Sequence, residues 1–528
     1  MRVLLLSTPY PLSENVTPPL GLAYLAGSLR RDGFEVEILD FLVSRYRPAK
    51  LVKKLEEFRP QFVGATCVTL NFHIAARMLK VCKEFDQSIF TAIGGPHASF
   101  ALDETHRRAP WIDAVVVGEG DRTLLELVRT VDGGGDIGHV AGIAFGDGES
   151  VVRTQERPYI EDLDELPLPA RDLLPLSKYG ALGSPFTVIT SRGCPFNCIF
   201  CSANKMFGRK VRFRDPGLVV DEIEMLDRNY EFLQINIVDD TFTANRKHAQ
   251  QVCEEMLRRN LKVRWSAYAR VDTMREDLVE VMKRAGCAWV LFGVESGDEE
   301  ILKTIKKGIT RQQVRDGVRM ARGAGLNVFN SFIFGLPGES SETARSSVAF
   351  ARELDRDYGA GYGFHVLSPL PGTDLYENAR AYGIRFLTRN WARFDANQVI
   401  TETPCIQADT MRGIVAEYER EVEEGWDVIR RRAEAGDAQS IDMVKGNEGQ
   451  AFVWQLLKND LFERSGRGLL VKAGDSHGAQ REVAQRVSRR LELPVERVSE
   501  HLARLVSKGL LQSQSVGNGY RWCWNEGG

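Results

Sequence analysis

Six times between residues 186 and 368, a short apolar run gives way to a longer stretch with helical periodicity. The apolar runs fall at 186–190, 233–238, 263–267, 289–294, 327–334 and 363–367, with helical stretches such as 216–227 and 247–259 between them. Strands joined by helices of this length must run parallel. Six β/α units without a seventh or eighth predict an incomplete (β/α)6 barrel, and barrel chemistry sits at the carboxyl ends of the strands.

The same alternation occupies residues 1–150. Strands are expected at 3–7, 34–40, 62–66, 89–93 and 114–117, with helices at 20–31, 75–84 and 121–130; Gly33 stands where a C-cap glycine belongs. This α/β pattern predicts a doubly wound, flavodoxin-like (Rossmann) parallel sheet that binds ligand at its strand carboxyl ends. Those ends carry Thr8-Pro9, residues 67–71, Gly94-Gly95-Pro96-His97 and Gly118-Glu119-Gly120. No G-x-G-x-x-G follows the first strand, so a dinucleotide is not favoured. Gly94-Gly95 alone reads equally well as a tight turn needing positive φ.

A proline-rich, acidic stretch at 151–182 reads as a linker between 1–150 and the barrel region at 183–400. Residues 401–445 are charged and helical. Residues 446–528 hold two short helices joined at 492–494, then a hairpin signal at Val516-Gly517-Asn518-Gly519, a winged-helix-like order. At roughly 100–200 residues per domain, 528 residues imply about three domains. A net charge of -3 gives no bulk attraction to nucleic acid or an anionic membrane. The apolar start before Pro9 and Pro11 is too short for a signal peptide, and no window reaches the length of a membrane helix. The cytoplasm is the expected location.

Three of the nine cysteines crowd into Cys194-Pro195-Phe196-Asn197-Cys198-Ile199-Phe200-Cys201, directly after the first barrel strand. Such crowding suggests metal in a reduced compartment, not a disulfide framework. A C-x3-C-x2-C loop offers three thiolates to a [4Fe–4S] cluster and leaves the fourth iron open to a small molecule. Zinc competes as a reading, but structural zinc usually takes paired C-x2-C motifs or nearby histidines. Cys67, Cys82, Cys253, Cys287, Cys405 and Cys523 have no mutual ligand spacing and read as small apolar residues.

With Phe200 at its aromatic position, this loop resembles that of the radical S-adenosylmethionine superfamily. The resemblance covers about 187–372 and extends to Asp239-Asp240-Thr241-Phe242, Tyr268–Asp272, Gly293-Val294-Glu295-Ser296-Gly297, Phe334–Glu339 and Pro369–Thr373. It implies that Cys194, Cys198 and Cys201 bind the cluster and are the catalytic metal ligands. S-adenosylmethionine would chelate the open iron and, on reduction, yield methionine and a 5′-deoxyadenosyl radical that abstracts hydrogen. Arg270 would then pair with the cofactor's carboxylate and Glu295 would accept from its ribose hydroxyls. Asp239 and Asp240 would accept from its amine or the substrate, and the turn at Pro337 would admit its adenine. Arg270 with Asp272 also reads as a local ion pair, and Asp239-Asp240 as a helix cap.

A flavodoxin-like domain before such a barrel resembles the cobalamin-binding branch of that superfamily, over about residues 1–130. The matching residues are Thr17-Pro18-Pro19-Leu20-Gly21-Leu22, Gly94-Gly95-Pro96-His97-Ala98 and Val117-Gly118-Glu119-Gly120. The resemblance implies cobalamin contacts at Thr17, Gly94, Gly95, His97, Gly118 and Glu119. The D-x-H-x-x-G motif, whose histidine ligates cobalt in many cobalamin proteins, is missing; Asp136–Gly142 has one residue too many. A radical C–H activation followed by methyl transfer from methylcobalamin is therefore expected, on a small-molecule or peptide substrate, with an external electron donor. Two alternatives stay open: a ring-forming or oxidative cyclase like the anaerobic magnesium-protoporphyrin ester cyclases, which this sequence also resembles, and a cofactor-sensing DNA-binding regulator. The second C-terminal helix alternates Arg497, Arg504 and Lys508 with Glu496 and Glu500, a poor phosphate-binding face.

Overall fold

The computed structural model describes residues 1–10, 16–148, 150–230, 234–463, 469–472 and 476–525. Its first sheet contains β1 (Arg2–Ser7), β2 (Glu35–Asp40), β3 (Phe62–Thr66), β4 (Phe90–Gly94), β5 (Ala114–Val116), β6 (Ile143–Asp147) and β7 (Ser150–Arg153), in the order β2-β1-β3-β4-β5-β6-β7. The first five strands are parallel. Val3, Leu4, Leu5 and Leu6 are buried on both faces, as a central parallel strand requires. From β1 the chain steps to β2 on one side and to β3 on the other, which opens the switch-point crevice between them. The expected helix at 20–31 forms as Leu20–Arg31. Sequence reading missed the antiparallel β6–β7 hairpin, because its two strands are short and meet at a polar, exposed turn that breaks the α/β alternation.

The second sheet is built from β8 (Phe186–Val188), β11 (Ile235–Ile237), β12 (Trp265–Ala269), β13 (Cys287–Glu295), β14 (Asn327–Phe334) and β15 (Gly361–Val366). They pair in parallel in the order β15-β14-β13-β12-β11-β8, with helices such as Pro216–Asn229 and Arg246–Arg258 crossing between them. Residue 233, in one expected strand, lies outside the described residues. A short antiparallel hairpin, β9 (Ser191–Arg192) with β10 (Arg212–Phe213), interrupts the alternation after β8. Phe186, Trp265, Phe292 and Phe332 lie in the core beneath the helices.

After the short pair β16 (Arg385–Phe386) and β17 (Thr401–Glu402), the helices Ala408–Glu434 and Ala438–Lys458 lead to a third unit. It holds β18 (Leu469–Lys472), helices Ser476–Leu491 and Val495–Ser507, then β19 (Leu511–Val516) and β20 (Gly519–Trp524), in an antiparallel sheet ordered β18-β20-β19. Polar contacts join it to the segment before β8 and to the first sheet. Lys178 Nζ, from the segment before β8, meets Glu463 at 2.8 Å, and Lys50 Nζ, from the helix Pro48–Phe58 beside the first sheet, reaches the same carboxylate at 3.5 Å; the Tyr179 hydroxyl in turn ties the segment before β8 to the Asp40 carboxylate of β2 at 2.5 Å. Arg497 pairs with Glu448 at 2.8 Å and His501 stacks on Phe452, so part of that last helix is already engaged by Ala438–Lys458. Among the described residues, no helix is long and apolar enough to cross a membrane.

Candidate active site

The cysteine loop is the connection of the β9–β10 hairpin, in which Arg192 pairs with Arg212 in register. Its root is clamped by Asp239. That buried carboxylate accepts from the Thr190 N–H (2.6 Å) and hydroxyl (2.5 Å) and from the Ser191 N–H (3.1 Å) and hydroxyl (2.7 Å). Gly193 has φ +105°, and a Cβ there would lie 2.6 Å from the Lys210 carbonyl. Only glycine tolerates both conditions. The Cys194 N–H then donates to the Gly208 carbonyl at 3.1 Å. Farther along, the Ile199 N–H donates to the Ile305 carbonyl (3.2 Å) and the Leu375 N–H to the Ile199 carbonyl (3.1 Å). The loop is thus tied at one end to Asp239 and its own hairpin and at the other to Ile305 and Leu375.

Burial raises the thiols of Cys194 and Cys198 above the ordinary cysteine value. Cys201 stands at the exposed edge, yet surrounding protein withdraws water from its sulfur and pushes its thiol up to about 11, helped by Cys194 and Cys198. Thiols in this state deprotonate as metal arrives. Among the described residues, no three Cys, His, Asp or Glu side chains converge as ligands of a single ion do. A cubane places each thiolate on a different iron, so its ligands need not meet at one point. The donor set fits a polynuclear cluster better than zinc.

Two buried cations face this loop. Arg270 lies 3.7 Å over the Phe196 ring and brings Nη1 to 4.0 Å from the Cys198 sulfur. Its Nε and Nη2 pair with Asp272 at 3.0 Å, and Nη2 also donates to the Lys307 carbonyl at 2.7 Å. The local Arg270–Asp272 pair and an orientation toward the cysteines therefore coexist. Lys307 is 5.8 Å over the Phe200 ring, and its Nζ meets Glu295 Oε1 at 2.7 Å. Glu295 adopts φ +74° beside an irregular register between β13 and β14. Non-glycine residues held there carry strain that clusters at functional sites.

Asp240 accepts from the Gly193 N–H, and withdrawal of water together with neighbouring Asp239 raises its carboxyl to about 6. Asp239, by contrast, is saturated by its four donors. Pro337 is buried in the turn after β14. In that turn Glu339 is fully buried; Oε2 accepts from the Gly335 N–H at 2.5 Å and Oε1 has no partner. Burial lifts this carboxyl from 4.5 to about 8, against the lowering effect of the Gly335 and Leu336 N–H groups. A raised carboxyl stabilises the fold below its unfolded value, and that stability is lost as pH rises through the folded value. Melting temperature should therefore fall between about pH 4.5 and about pH 8, and fall less in Glu339→Gln, which cannot ionise. Equal pH slopes for the two proteins would remove Glu339 as the cause.

A cavity of about 410 Å³ begins at the carboxyl edge of the first sheet and runs between that sheet and the helices Leu20–Arg31 and Gly120–Asp132. Glycines and alanines line its walls, among them Gly64, Ala65, Ala92, Gly94 and Gly120. Gly95, at φ +99°, turns the chain so tightly that a Cβ would sit 2.4 Å from the Cys67 carbonyl. The roof comes from Ser191 and Arg192 of the β9–β10 hairpin, from Met206 and Phe207 within its connection, and from Asp240 after β11. An adjoining cavity of about 290 Å³ shares Gly118, Glu119 and Met206 with it. Such a deep, small-residue, apolar slot suits the flat nucleotide tail of cobalamin.

Two of the expected contacts are engaged elsewhere. His97 is buried between Phe72 and Trp391, with ring centroids 4.7 and 4.1 Å away, and its Nδ1 lies 3.1 Å from the Thr69 hydroxyl. Burial lowers its pKa to about 3, and it does not line the large cavity. Glu119 borders the cavity, but Arg212 donates to both its oxygens (2.8 and 3.0 Å) and the Ile160 N–H to one (2.9 Å). Gly94, Gly95 and Gly118 line the cavity, whereas Thr17 is half-buried just outside its lining. Sequence reading missed Lys307, Arg192 and Asp121. Each stands in a polar run that resembles solvated surface, and only tertiary contacts reveal its burial.

Residues 188–351 match the model of the Radical SAM superfamily, and residues 12–128 that of the B12 binding domain. The chain is 40% identical to the uncharacterized methyltransferase PH0819 of Pyrococcus horikoshii, over 71% of this chain and 81% of that protein. It is 34% identical to the anaerobic magnesium-protoporphyrin IX monomethyl ester cyclase of Rubrivivax gelatinosus, over 68% of this chain and 66% of that one. In fold it is similar to the cobalamin-dependent S-adenosylmethionine radical enzyme OxsB, with a TM-score of 0.68 at 16% identity, covering 96% of this chain and 79% of the other.

Proposed function

The chain belongs to the cobalamin-binding radical S-adenosylmethionine enzymes, and we propose that it methylates an unactivated carbon of its substrate. Its cofactors are a [4Fe–4S] cluster, S-adenosylmethionine and cobalamin. The observation that carries the reading is that the glycine-walled cavity and the three-cysteine loop share one wall, made by Ser191, Arg192 and Asp240. Methylation is favoured over cyclisation because the methyltransferase relative matches at higher identity over more of its length. A DNA-binding regulator is not favoured.

We take residues 1–150 as the cobalamin-binding domain, 151–182 as linker, and 183–400 as a six-unit partial barrel. Residues 401–445 form a helical segment, and 446–528 a winged-helix-like domain. When bound, the three cofactors supply a one-electron cleavage that yields a hydrogen-abstracting radical, and a transferable methyl group. The protein's part is to hold and exclude. Cys194, Cys198 and Cys201 bind three irons. Arg270 offers Nη1, its one guanidinium nitrogen outside the Asp272 pair, to the carboxylate of S-adenosylmethionine. Glu295, steadied by Lys307, accepts from the ribose hydroxyls, and Asp240 accepts from an amine. Phe200 and Pro337 pack beside the cofactor. Gly94, Gly95 and Gly118 let cobalamin approach backbone, with Thr17 at the margin. Met206 and Phe207 close the space between the two sites against water. An electron donor and a small-molecule or peptide substrate complete the reaction.

The test is anaerobic reconstitution with iron, sulfide and cobalamin, followed by counting of both cofactors and a transfer assay with methyl-labelled S-adenosylmethionine. Label in a carbon-methylated product supports the reading; deoxyadenosine without label transfer would favour the cyclase. Gly21 borders the cavity, and nothing lies within 4 Å of a Cβ added there. Gly21→Trp should fill the slot and weaken cobalamin binding by at least about tenfold while iron content stays unchanged. Undiminished cobalamin binding would place the cofactor elsewhere.

A further inference from the structure

One residue belongs to both sites. Arg192 ends β9, and Gly193 and Cys194 follow it in the chain. It also lines the large cavity, as do the groups it touches on the first sheet's side. Nη1 and Nη2 pair with the Asp121 carboxylate at 2.7 and 3.2 Å, Nη1 comes within 3.6 Å of Glu119, and the guanidinium lies 5.6 Å over the Tyr24 ring. Arg192 and Asp121 are 10% and 6% exposed, so this two-pronged pair is screened from water. Asp121 lies in the first turn of the helix Gly120–Asp132, which walls the cavity. At the other end of the contact, Asp239 clamps Thr190 and Ser191, and Gly193 is wedged against the Lys210 carbonyl. A planar guanidinium gripping a carboxylate through two bonds transmits position more faithfully than a single flexible contact.

We propose that Arg192 couples the two cofactor sites: cobalamin in the cavity fixes the helix Gly120–Asp132, and Arg192 passes that order to the cysteine loop. The inference rests on the assignment of the cavity to cobalamin and of the cysteines to the cluster. Linkage makes it reciprocal, so the cluster tightens cobalamin by the factor by which cobalamin tightens the cluster. Arg192 is a positioning residue and touches no reacting atom.

The experiment titrates cobalamin anaerobically into cluster-loaded protein and into the full-length Cys194→Ala, Cys198→Ala, Cys201→Ala variant, reading absorbance. Loaded protein should bind more tightly, within the roughly 5- to 150-fold span usual for coupled sites. Arg192→Met should bring the ratio close to one, and Arg192→Lys should restore part of it. Should Arg192→Met lose its far-ultraviolet dichroism, Asp121→Asn serves instead, because it removes the same ion pair from the other side. A ratio kept intact in Arg192→Met, or a parent ratio of one with both cofactors bound, overturns the coupling alone. Failure of the parent to bind cobalamin, or to bind iron, overturns the site assignment together with it.

Discussion

Replacing Cys198 with alanine is expected to strip the reconstituted protein of its cluster and to end deoxyadenosine release. Iron should fall from about four per chain to below about one, because two remaining thiolates leave two irons without a protein ligand. The Arg270 guanidinium, 4.0 Å from the lost sulfur, is a cation that has no lone pair to donate. The loop itself should keep its path, since its ties run through the backbone of Cys194 and Ile199. Cobalamin binding should persist, weakened only by the coupling through Arg192. Cys405 is exposed and remote in sequence from the motif, so Cys405→Ala is the control and should change neither iron nor deoxyadenosine. A variant at Cys198 that still binds about four irons would refute the assignment of this loop.

Glu222→Ala should be the most destabilising single change outside the cofactor sites. Glu222 projects from the helix Pro216–Asn229 and is 1% exposed. One oxygen accepts from Arg171 Nη2 at 2.6 Å, the other from Arg214 Nη1 at 2.6 Å. Both arginines are buried too, and Arg171 already has Nε and Nη1 without partners. Their remaining acceptors are the carbonyls of Thr187 and Ile189, at the end of β8, and the Tyr24 hydroxyl, which Arg214 Nη1 reaches at 3.3 Å. Removing the carboxylate leaves two positive charges in a low-dielectric interior, which costs about 3–5 kcal/mol. In thermal unfolding this should appear as a drop of roughly 6–20 °C in the transition of the second unit. Glu222→Gln, which keeps the shape and one of the two acceptor oxygens but not the charge, should lose less. A loss below about 1 kcal/mol for alanine would mean that water reaches the arginines.

Much of this protein is written in local pattern. Apolar runs spaced by helical stretches specify parallel strands, because each strand must be covered by the helix that follows; all six runs of the second sheet fold as strands. The cysteine spacing likewise dictates a loop that can wrap one cluster, since three thiolates within eight residues have few other uses. Gly94-Gly95 also reads as a tight turn needing positive φ, and Gly95 does adopt one, wedged against the Cys67 carbonyl.

What local pattern left open is which polar residues go inside. Glu222, Arg171, Lys307 and Asp121 sit in stretches that look solvated, and the chain buries them only because a partner from a distant segment meets each one. Asp239 and Glu119 looked free to bind cofactor, yet donors from other elements consume them. His97 is turned by Trp391, which lies 294 positions later in the chain, into an aromatic pocket. Periodicity and spacing act over a few residues, so they reach as far as the two sheets' parallel strands and the candidate cluster loop. How those sheets meet and which charges fasten them follows from the fold alone, because a buried charge is stabilised by its partner and not by its neighbours in the chain.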